Sequence, residues 1–494
     1  VISTAPAETS RASRLSLPLV LWLAAAAISG FTARRFLGPL DEGILMQAAT
    51  RMADGQWPWR DFGWSYGPGE PLVVMALGKL FGPSLLWWRL LRVIADATAA
   101  LLVFLLVRDR QERWALPAWA AAAVTAAQPT SANPTAPALV FALGALLAAT
   151  RGRPGWAGAL AAAAAFWRPD VGAIAALAAA ATLFVDGRSD RARRGAWVSR
   201  PGGLASRRAA SRSAAITLAV AELVLLVLYA PFLGVAGPHR VWDALVVQAT
   251  RDGEWWRLPF GFQGGDVKDF VTWLLPFAAV ATIALAAKRA VGLAVLGAGA
   301  VVYFASRADL EHAQGLLIVA AAAAPFARPR AVGVAMLALL LAVGVANRAS
   351  ALLRSPDLEA FRGVSVPPRE AESLPRLIAD VRRRVAPGDP IYVAPLRSDL
   401  VSFSNPLLYY LVGRPNVLRR DVLLQAKPDE QAAIVRRLQA TRPRVIVRWV
   451  APESAKPEPN RRGRPSGSRA LDQYIDATYR EAARYGDYVV LVPR

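Results

Sequence analysis

Two acids stand side by side in LDEGILMQAA (40–49): Asp41 and Glu42, directly after the first apolar run of the chain. A carboxylate pair in that place has several readings. It can be solvated in a loop, it can sit at a helix N-terminus where the macrodipole favours negative charge, or it can take a proton or ligate a divalent cation. Other reactive side chains recur at the ends of apolar runs. FWRPD (166–170) carries Arg168 and Asp170, SRADLEH (306–312) carries Arg307 and His312, and WWRLLRVIAD (87–96) carries Arg89, Arg92 and Asp96. Forked guanidinium donors suit a phosphate, and a histidine can donate to one. Each group also has a plainer role. Arg92 and Asp96 have the i,i+4 spacing of a packed ion pair, and SRADLEH suits a solvated loop with a helix cap. TRDGEWWRLPFGFQGG (250–265) offers Arg251, Arg257 and two Trp, as a lid over a lipid or as an interfacial anchor.

The elements that must position these groups are apolar helices. About 20 apolar residues cross a bilayer core. Runs of that character fall at 17–36, 86–107, 115–129, 135–150, 156–167, 171–185, 214–234, 270–287, 290–305, 313–327 and 331–348. With 55% hydrophobic residues and a mean hydropathy of +0.32, the expected fold is a polytopic α-helical membrane protein. It would have about 11 spans and a belt of interfacial Trp. The net charge of +22 would point a soluble protein toward nucleic acid. Here no nucleic-acid partner is expected, because much of the charge lies in short loops between spans, where it sets orientation. The loop 186–213 alone holds eight Arg against two Asp. The loops on the other side hold most of the acids, including Asp41, Glu42, Asp61, Glu70, Asp170, Asp309 and Glu311. That pattern puts the N-terminus in the cytoplasm, with residues 1–14 as a lead-in, and loop 37–85 on the outer face of a bacterial cytoplasmic membrane. The absence of Cys excludes disulfides and thiolate chemistry, and two His make a His-rich metal centre unexpected.

After residue 348 the composition changes, dividing the chain into a membrane domain (1–348) and a soluble α/β domain (349–494) on the outer face. DPIYVAPL (389–396) and PRVIVRWV (443–450) read as buried strands. DEQAAIVRRLQA (429–440) and SRALDQYIDATYREAARYG (468–486) have helical periodicity, and DYVVLVP ends the chain as a strand. PESAKPEPNRRGRPSGS (452–468) reads as a flexible loop, and NPLLYYLVGRP (405–415) as buried aliphatics with a turn.

In the outer loop, EGILMQAATRMADG (42–55) puts Ile44, Leu45, Ala48 and Met52 on one face, which predicts a helix lying along the membrane surface. GQWPWRDFGWSYGPGEP (55–71) follows. Its five aromatics suit either membrane anchoring or the flat faces of sugar rings. PLVVMALGKLFG (71–82) reads as a second surface or re-entrant helix. The succession LDEG, ATRMADGQWPWRDFGWSYGPGEPLVVMALGKLFG and WWRLLR resembles the first outer loop of the GT-C glycosyltransferases. It is most similar to the branch of protein O-mannosyltransferases and lipid A aminoarabinose transferases. The likeness covers roughly residues 15–110 and rests on Asp41, Glu42, Arg60, Asp61, Pro68 and Arg89.

The resemblance implies a sugar donor on a polyprenyl phosphate, an acceptor hydroxyl on the outer face, and inversion at the anomeric carbon. Asp41 would be the base, with Glu42 positioning it, binding the acceptor, or joining it around Mg or Mn. Arg60, Asp61, Tyr66, Arg89, Arg168, Asp170, Arg307 and His312 would bind the donor's phosphate and sugar. Arg168 stands where the aminoarabinose transferases carry a lysine. The acceptor class, glycan, lipid or protein, is left open. Two other readings remain: a flippase of lipid-linked envelope precursors, and a non-catalytic envelope assembly protein.

Overall fold

The computed structural model describes residues 10–194, 203–258, 267–353, 357–401, 403–421, 426–456 and 465–494. Helix α1 (Ser10–Gly30) leads into the loop that holds α2 (Asp41–Ala53) and α3 (Gly69–Phe81). Apolar helices follow: α4 (Leu86–Gln111), α5 (Ala115–Ala126), α6 (Thr135–Thr150), α7 (Pro154–Trp167), α8 (Pro169–Arg194) and α9 (Gly203–Ala236). Two shorter helices, α10 (Pro238–Trp242) and α11 (Gln248–Trp256), lead to α12 (Val267–Ala286), α13 (Val291–Ser306), α14 (Leu310–Ala323) and α15 (Arg330–Leu353). Among the described residues, four stretches are long and apolar enough to cross a membrane: Leu86–Ala126, Pro169–Asp186, Arg208–Ala236 and Arg330–Leu353. Other apolar helices are shorter, and length and composition alone do not carry the expected count of about 11 spans.

Alanine dominates these helices. It is the best helix former, and its small side chain lets neighbouring backbones approach where no water drives association. Helix α14 is buried on all sides from Ala313 to Ala323, and forms the centre of the bundle.

Two helix breaks place cations on one face. Arg168 ends α7 in an extended conformation (φ −145°, ψ 109°), because the residue before a proline is excluded from the helical region, and Pro169 starts α8. Arg307 ends α13 in nearly the same conformation (φ −149°, ψ 102°), and Asp309 caps α14 by accepting from the His312 amide at 2.8 Å.

The C-terminal domain is an α/β unit. Strands β1 (Glu359–Phe361) and β2 (Val364–Val366) form a hairpin. The strands β3 (Tyr392–Pro395), β4 (Ile446–Trp449), β5 (Tyr479–Tyr485) and β6 (Tyr488–Pro493) form a sheet ordered β3-β4-β6-β5, parallel only between β3 and β4. Helices α16 (Pro368–Arg384), α17 (Leu407–Val412), α18 (Pro428–Thr441) and α19 (Ala470–Thr478) complete it. The periodicity over 468–486 is corrected here: the helix stops at Thr478, and 479–485 is an edge strand turning into β6 at Gly486 (φ +54°). Pairing with an apolar β6 outweighs the local helical preference of that segment.

The loop and the C-terminal domain share one core, in which Leu45, Met46, Trp59, Trp64 and Trp88 meet Val364, Leu377, Leu407 and Val447. The expectation of α2 as a membrane-surface helix is therefore corrected. Gln47 and Arg51, on its polar side, are buried along with Leu45, because α17 and the segment around Asp421 cover them. Arg51 donates to the Leu418 carbonyl at 2.9 Å and pairs with Asp421 at 3.1 Å. The aromatics after it are core as well. Trp59 stacks on Tyr229 (6.1 Å between centroids) and Trp57 meets Phe232 edge-on. The approach between α2 and α17 requires Gly43, where a Cβ would lie 2.2 Å from the Leu407 backbone nitrogen. Gly43→Ala is expected to cost about 1–3 kcal/mol through overpacking and to hasten proteolysis at the 357–494 domain. Thermal unfolding and limited proteolysis in detergent check both.

Candidate active site

Neighbouring residues on a helix project in different directions, and the two acids part accordingly. Glu42 turns inward and is fully buried. Its Oε1 accepts from Trp88 Nε1 (2.8 Å) and Arg89 Nε (3.0 Å), and its Oε2 from Arg89 Nη2 (2.9 Å) and the Gly38 amide (2.8 Å). Arg89 is spent too: it also donates to the carbonyls of Ala33, Arg35 and Phe36. The pair holds the loop between α1 and α2 and leaves Arg89 no donor for a phosphate. With both its oxygens taken, Glu42 does not fit a cation site shared with Asp41. Among the described residues no group of three His or acidic side chains is placed to hold a metal.

Asp41 opens instead onto a cavity of about 1070 Å³ between the membrane domain and the C-terminal domain. It is surrounded by protein yet accessible from that cavity. Burial raises its carboxyl above the ordinary value and Asp309 adds to this, while the charges of His312 and Arg307 pull it back.

Around Asp41 the structure gathers most of the residues singled out in the sequence. Arg168 grips Asp170 through two bonds (3.0 and 2.6 Å) and donates to Thr135 Oγ1 at 2.9 Å. Its guanidinium lies over the rings of Tyr303 (4.2 Å) and Tyr66 (5.5 Å), as a cation–π pair. Asp309 ties the other cations together, accepting from Arg307 Nε at 3.0 Å and facing His312 Nδ1 at 2.7 Å. Burial opposes charge on Asp309, but the His312 bonds and the Arg307 charge hold it below the ordinary range. Its contact with Nδ1 leaves Nε2 of His312 for a ligand.

Tyr66 and Glu70 reach this group because the GPGEP turn presses on the end of α7. A Cβ on Gly67 would lie 2.2 Å from the Phe166 carbonyl oxygen. Glu70 is buried, its Oε2 has no hydrogen-bond partner, and burial pushes its carboxyl up to about 8 against the pull of Arg92.

Arg60 and Asp61 are engaged elsewhere. They pair with each other at 2.7 Å on an exposed turn, Asp61 also accepts from the Trp57 amide, and Arg419 donates to both their carbonyls. Arg92 and Asp96 form the expected i,i+4 pair at 2.8 Å, extended by Ser29, Ser131 and Gln314 into a network joining α1, α4 and α14. Asp252, in the 250–265 segment, binds Lys427 (2.9 Å) and Arg420 (3.1 Å) of the C-terminal domain, and residues 259–266 lie outside the described residues.

Sequence reasoning missed Tyr303, Thr135, Asp309 and Glu70 as members of the group. Tyr303 lies one helical turn before Arg307, and Glu70 four residues after Tyr66. Those spacings were the available signal.

No family model and no curated protein matches the sequence. Solved structures do match in fold. ArnT from Cupriavidus metallidurans bound to undecaprenyl phosphate superposes with a TM-score of 0.52 at 16% identity, over 98% of both chains. The archaeal oligosaccharyltransferase AglB from Archaeoglobus fulgidus, in complex with an inhibitory peptide and a dolichol-phosphate, superposes with a TM-score of 0.53 at 12% identity. That match covers 98% of this chain and 74% of AglB. The chain thus has the GT-C fold of these membrane glycosyltransferases.

The state of Glu70 is testable through stability. A buried carboxyl raised from 4.5 to about 8 takes up a proton on folding. The stability that neutral Glu70 brings is whole below about pH 4.5, and is lost as pH rises through 8. Glu70→Gln, neutral at every pH, is expected to unfold with the parent near pH 4.5 and at a clearly higher temperature at pH 9. Equal midpoints at pH 9 would show that ionised Glu70 costs the fold nothing, so that burial does not raise its carboxyl.

Proposed function

We propose that this protein is a membrane glycosyltransferase that moves a sugar from a polyprenyl-phosphate donor to an acceptor hydroxyl on the outer face of the cytoplasmic membrane. The observation that carries this reading is the placement of Asp41. It is an accessible carboxylate between a cluster of cations and a large cavity, on a fold whose solved examples include ArnT bound to undecaprenyl phosphate and AglB in complex with a dolichol-phosphate.

The reaction is a single displacement with inversion. The acceptor oxygen forms a bond to the anomeric carbon while the bond from that carbon to the phosphate oxygen breaks. Asp41 takes the hydroxyl proton as the new bond forms, and its raised pKa makes it a stronger base than an ordinary carboxylate. The polyprenyl phosphate leaves with an added negative charge. Arg307, Arg168 and the Nε2 of His312 meet that charge, already oriented by Asp309, Asp170 and the two Tyr rings, so little reorganisation is needed during the step. Glu42 and Arg89 act through Asp41 by fixing the start of α2. No step is routed through a metal.

The test is transfer of radiolabel from a panel of polyprenyl-phospho-sugars into envelope extract. The parent is expected to transfer from at least one donor, and a folded Asp41→Asn variant to lose roughly 10²–10⁴-fold of that rate. Asp41 must be ionised to act, so activity is expected to fall on the acid side at a pH above the ordinary carboxylate range. Equal transfer by parent and variant would place the base elsewhere. Arg168→Ala is expected to slow the chemical step more than it weakens donor binding, which single-turnover and binding measurements separate.

A further inference from the structure

The cavity that exposes Asp41 has a second wall, built by the C-terminal domain, and its chemistry differs from the cation cluster. Phe403 and Trp449 lie against each other on it (6.1 Å between centroids, tilted), and Tyr488 stands beside them. Asn405 lines the same wall at 5% exposure; its amide meets the Tyr488 hydroxyl, and its Oδ1 has no hydrogen-bond partner. A buried amide oxygen left unpaired is costly, and a ligand hydroxyl or amine would satisfy it. Three carboxylates complete the wall: Glu370, Glu453 and Asp487. Of these, Asp487 pairs with the outward Arg369 at 2.8 Å. Burial and the two neighbouring acids raise Glu370. On the facing wall Arg35 donates to the Ala351 carbonyl and Arg348 to Thr32 Oγ1, while the buried Nε of Arg348 has no hydrogen-bond partner, so the carboxylates outnumber one partly satisfied cation.

Flat apolar rings, an unpaired amide acceptor and carboxylate acceptors are the complement of a polyhydroxylated ring, whose C–H face stacks and whose hydroxyls donate. An anionic ligand would meet unpaired like charge on this wall, and repulsion of that kind excludes partners. The volume, about 1070 Å³, stands at the upper limit of roughly 300–1,000 Å³ for small-molecule pockets, so it takes more than one sugar ring. We propose that this wall is the acceptor subsite and that the acceptor is a glycan end without negative charge, held on Phe403 and by Asn405, Glu370 and Glu453. The proposal rests on the transferase reading for the word acceptor, and on the wall alone for the ligand class.

Binding is measured on the full-length protein in nanodiscs, with no donor present. The probes are a neutral mannotriose, a cationic glucosamine trisaccharide and an anionic trigalacturonate. The neutral and cationic probes are expected to bind to parent and to Asp41→Asn alike, and trigalacturonate at least tenfold more weakly. Phe403→Ala is expected to weaken mannotriose tenfold or more. Glu453→Lys, an exposed position that leaves the fold intact, is expected to raise trigalacturonate affinity. Tightest binding by trigalacturonate, or mannotriose affinity unmoved by Phe403→Ala, overturns the proposal. Because binding is read without turnover, its failure is separate from failure of label transfer. If transfer succeeds, label recovered in an anionic fraction of the extract likewise overturns the glycan class while leaving the transferase standing.

Discussion

The buried Glu42–Arg89 pair is the contact on which the rest of this molecule depends. Removing two charges from water costs several kcal/mol per ion, and only dense hydrogen bonding offsets it. Here the density is present. Glu42 accepts four bonds, and Arg89 donates onward to three carbonyls of the segment between α1 and α2. The result is specificity of placement more than stability. The chain leaving α1 is held at Ala33, Arg35 and Phe36, α2 begins at one position, and Asp41 is the residue turned to the cavity.

The cations around Asp41 are positioned by a different device. Arg168 and Arg307 each occupy a break between two apolar helices, in nearly equal extended conformations. Each break is closed by a carboxylate two residues on, Asp170 in one case and Asp309 in the other. The orientation of both guanidiniums is thus written into five- to seven-residue segments, and a local signal of that kind can be read from the sequence alone.

What was legible follows the range of the interaction. Apolar runs became helices, and the strands at 392–395 and 446–449 and the final strand fell where short buried apolar runs placed them. Asp41, Tyr66, Arg168, Asp170, Arg307 and His312, grouped in the sequence through the family resemblance, lie together in the fold. The errors lie where distant chain decides. α2 has the amphipathic pattern of a surface helix, and nothing within it announces that residues near 407 and 421 will cover its polar side. Arg89 is a cation at a span end like the others, and only the fold reveals that carbonyls consume it. The aromatics from Trp57 to Trp64 look like interface residues, because core and interface ask for the same side chains. The edge strand 479–485 is decided by β6 across a turn.

The covering of α2 also has a meaning in time. Arg51 and its partner Asp421 are 370 residues apart in the chain. At about 5–20 residues per second, the ribosome needs roughly 20–70 s to deliver the second after the first. Throughout that interval α2 has been made, and α3 and Trp88 soon stand against it, but not the segments near 407 and 421 that cover its polar side. The cavity beside Asp41 has no second wall until residues 370–488 have been made and folded, so a chain cut before them keeps its apolar helices and lacks half of the cavity.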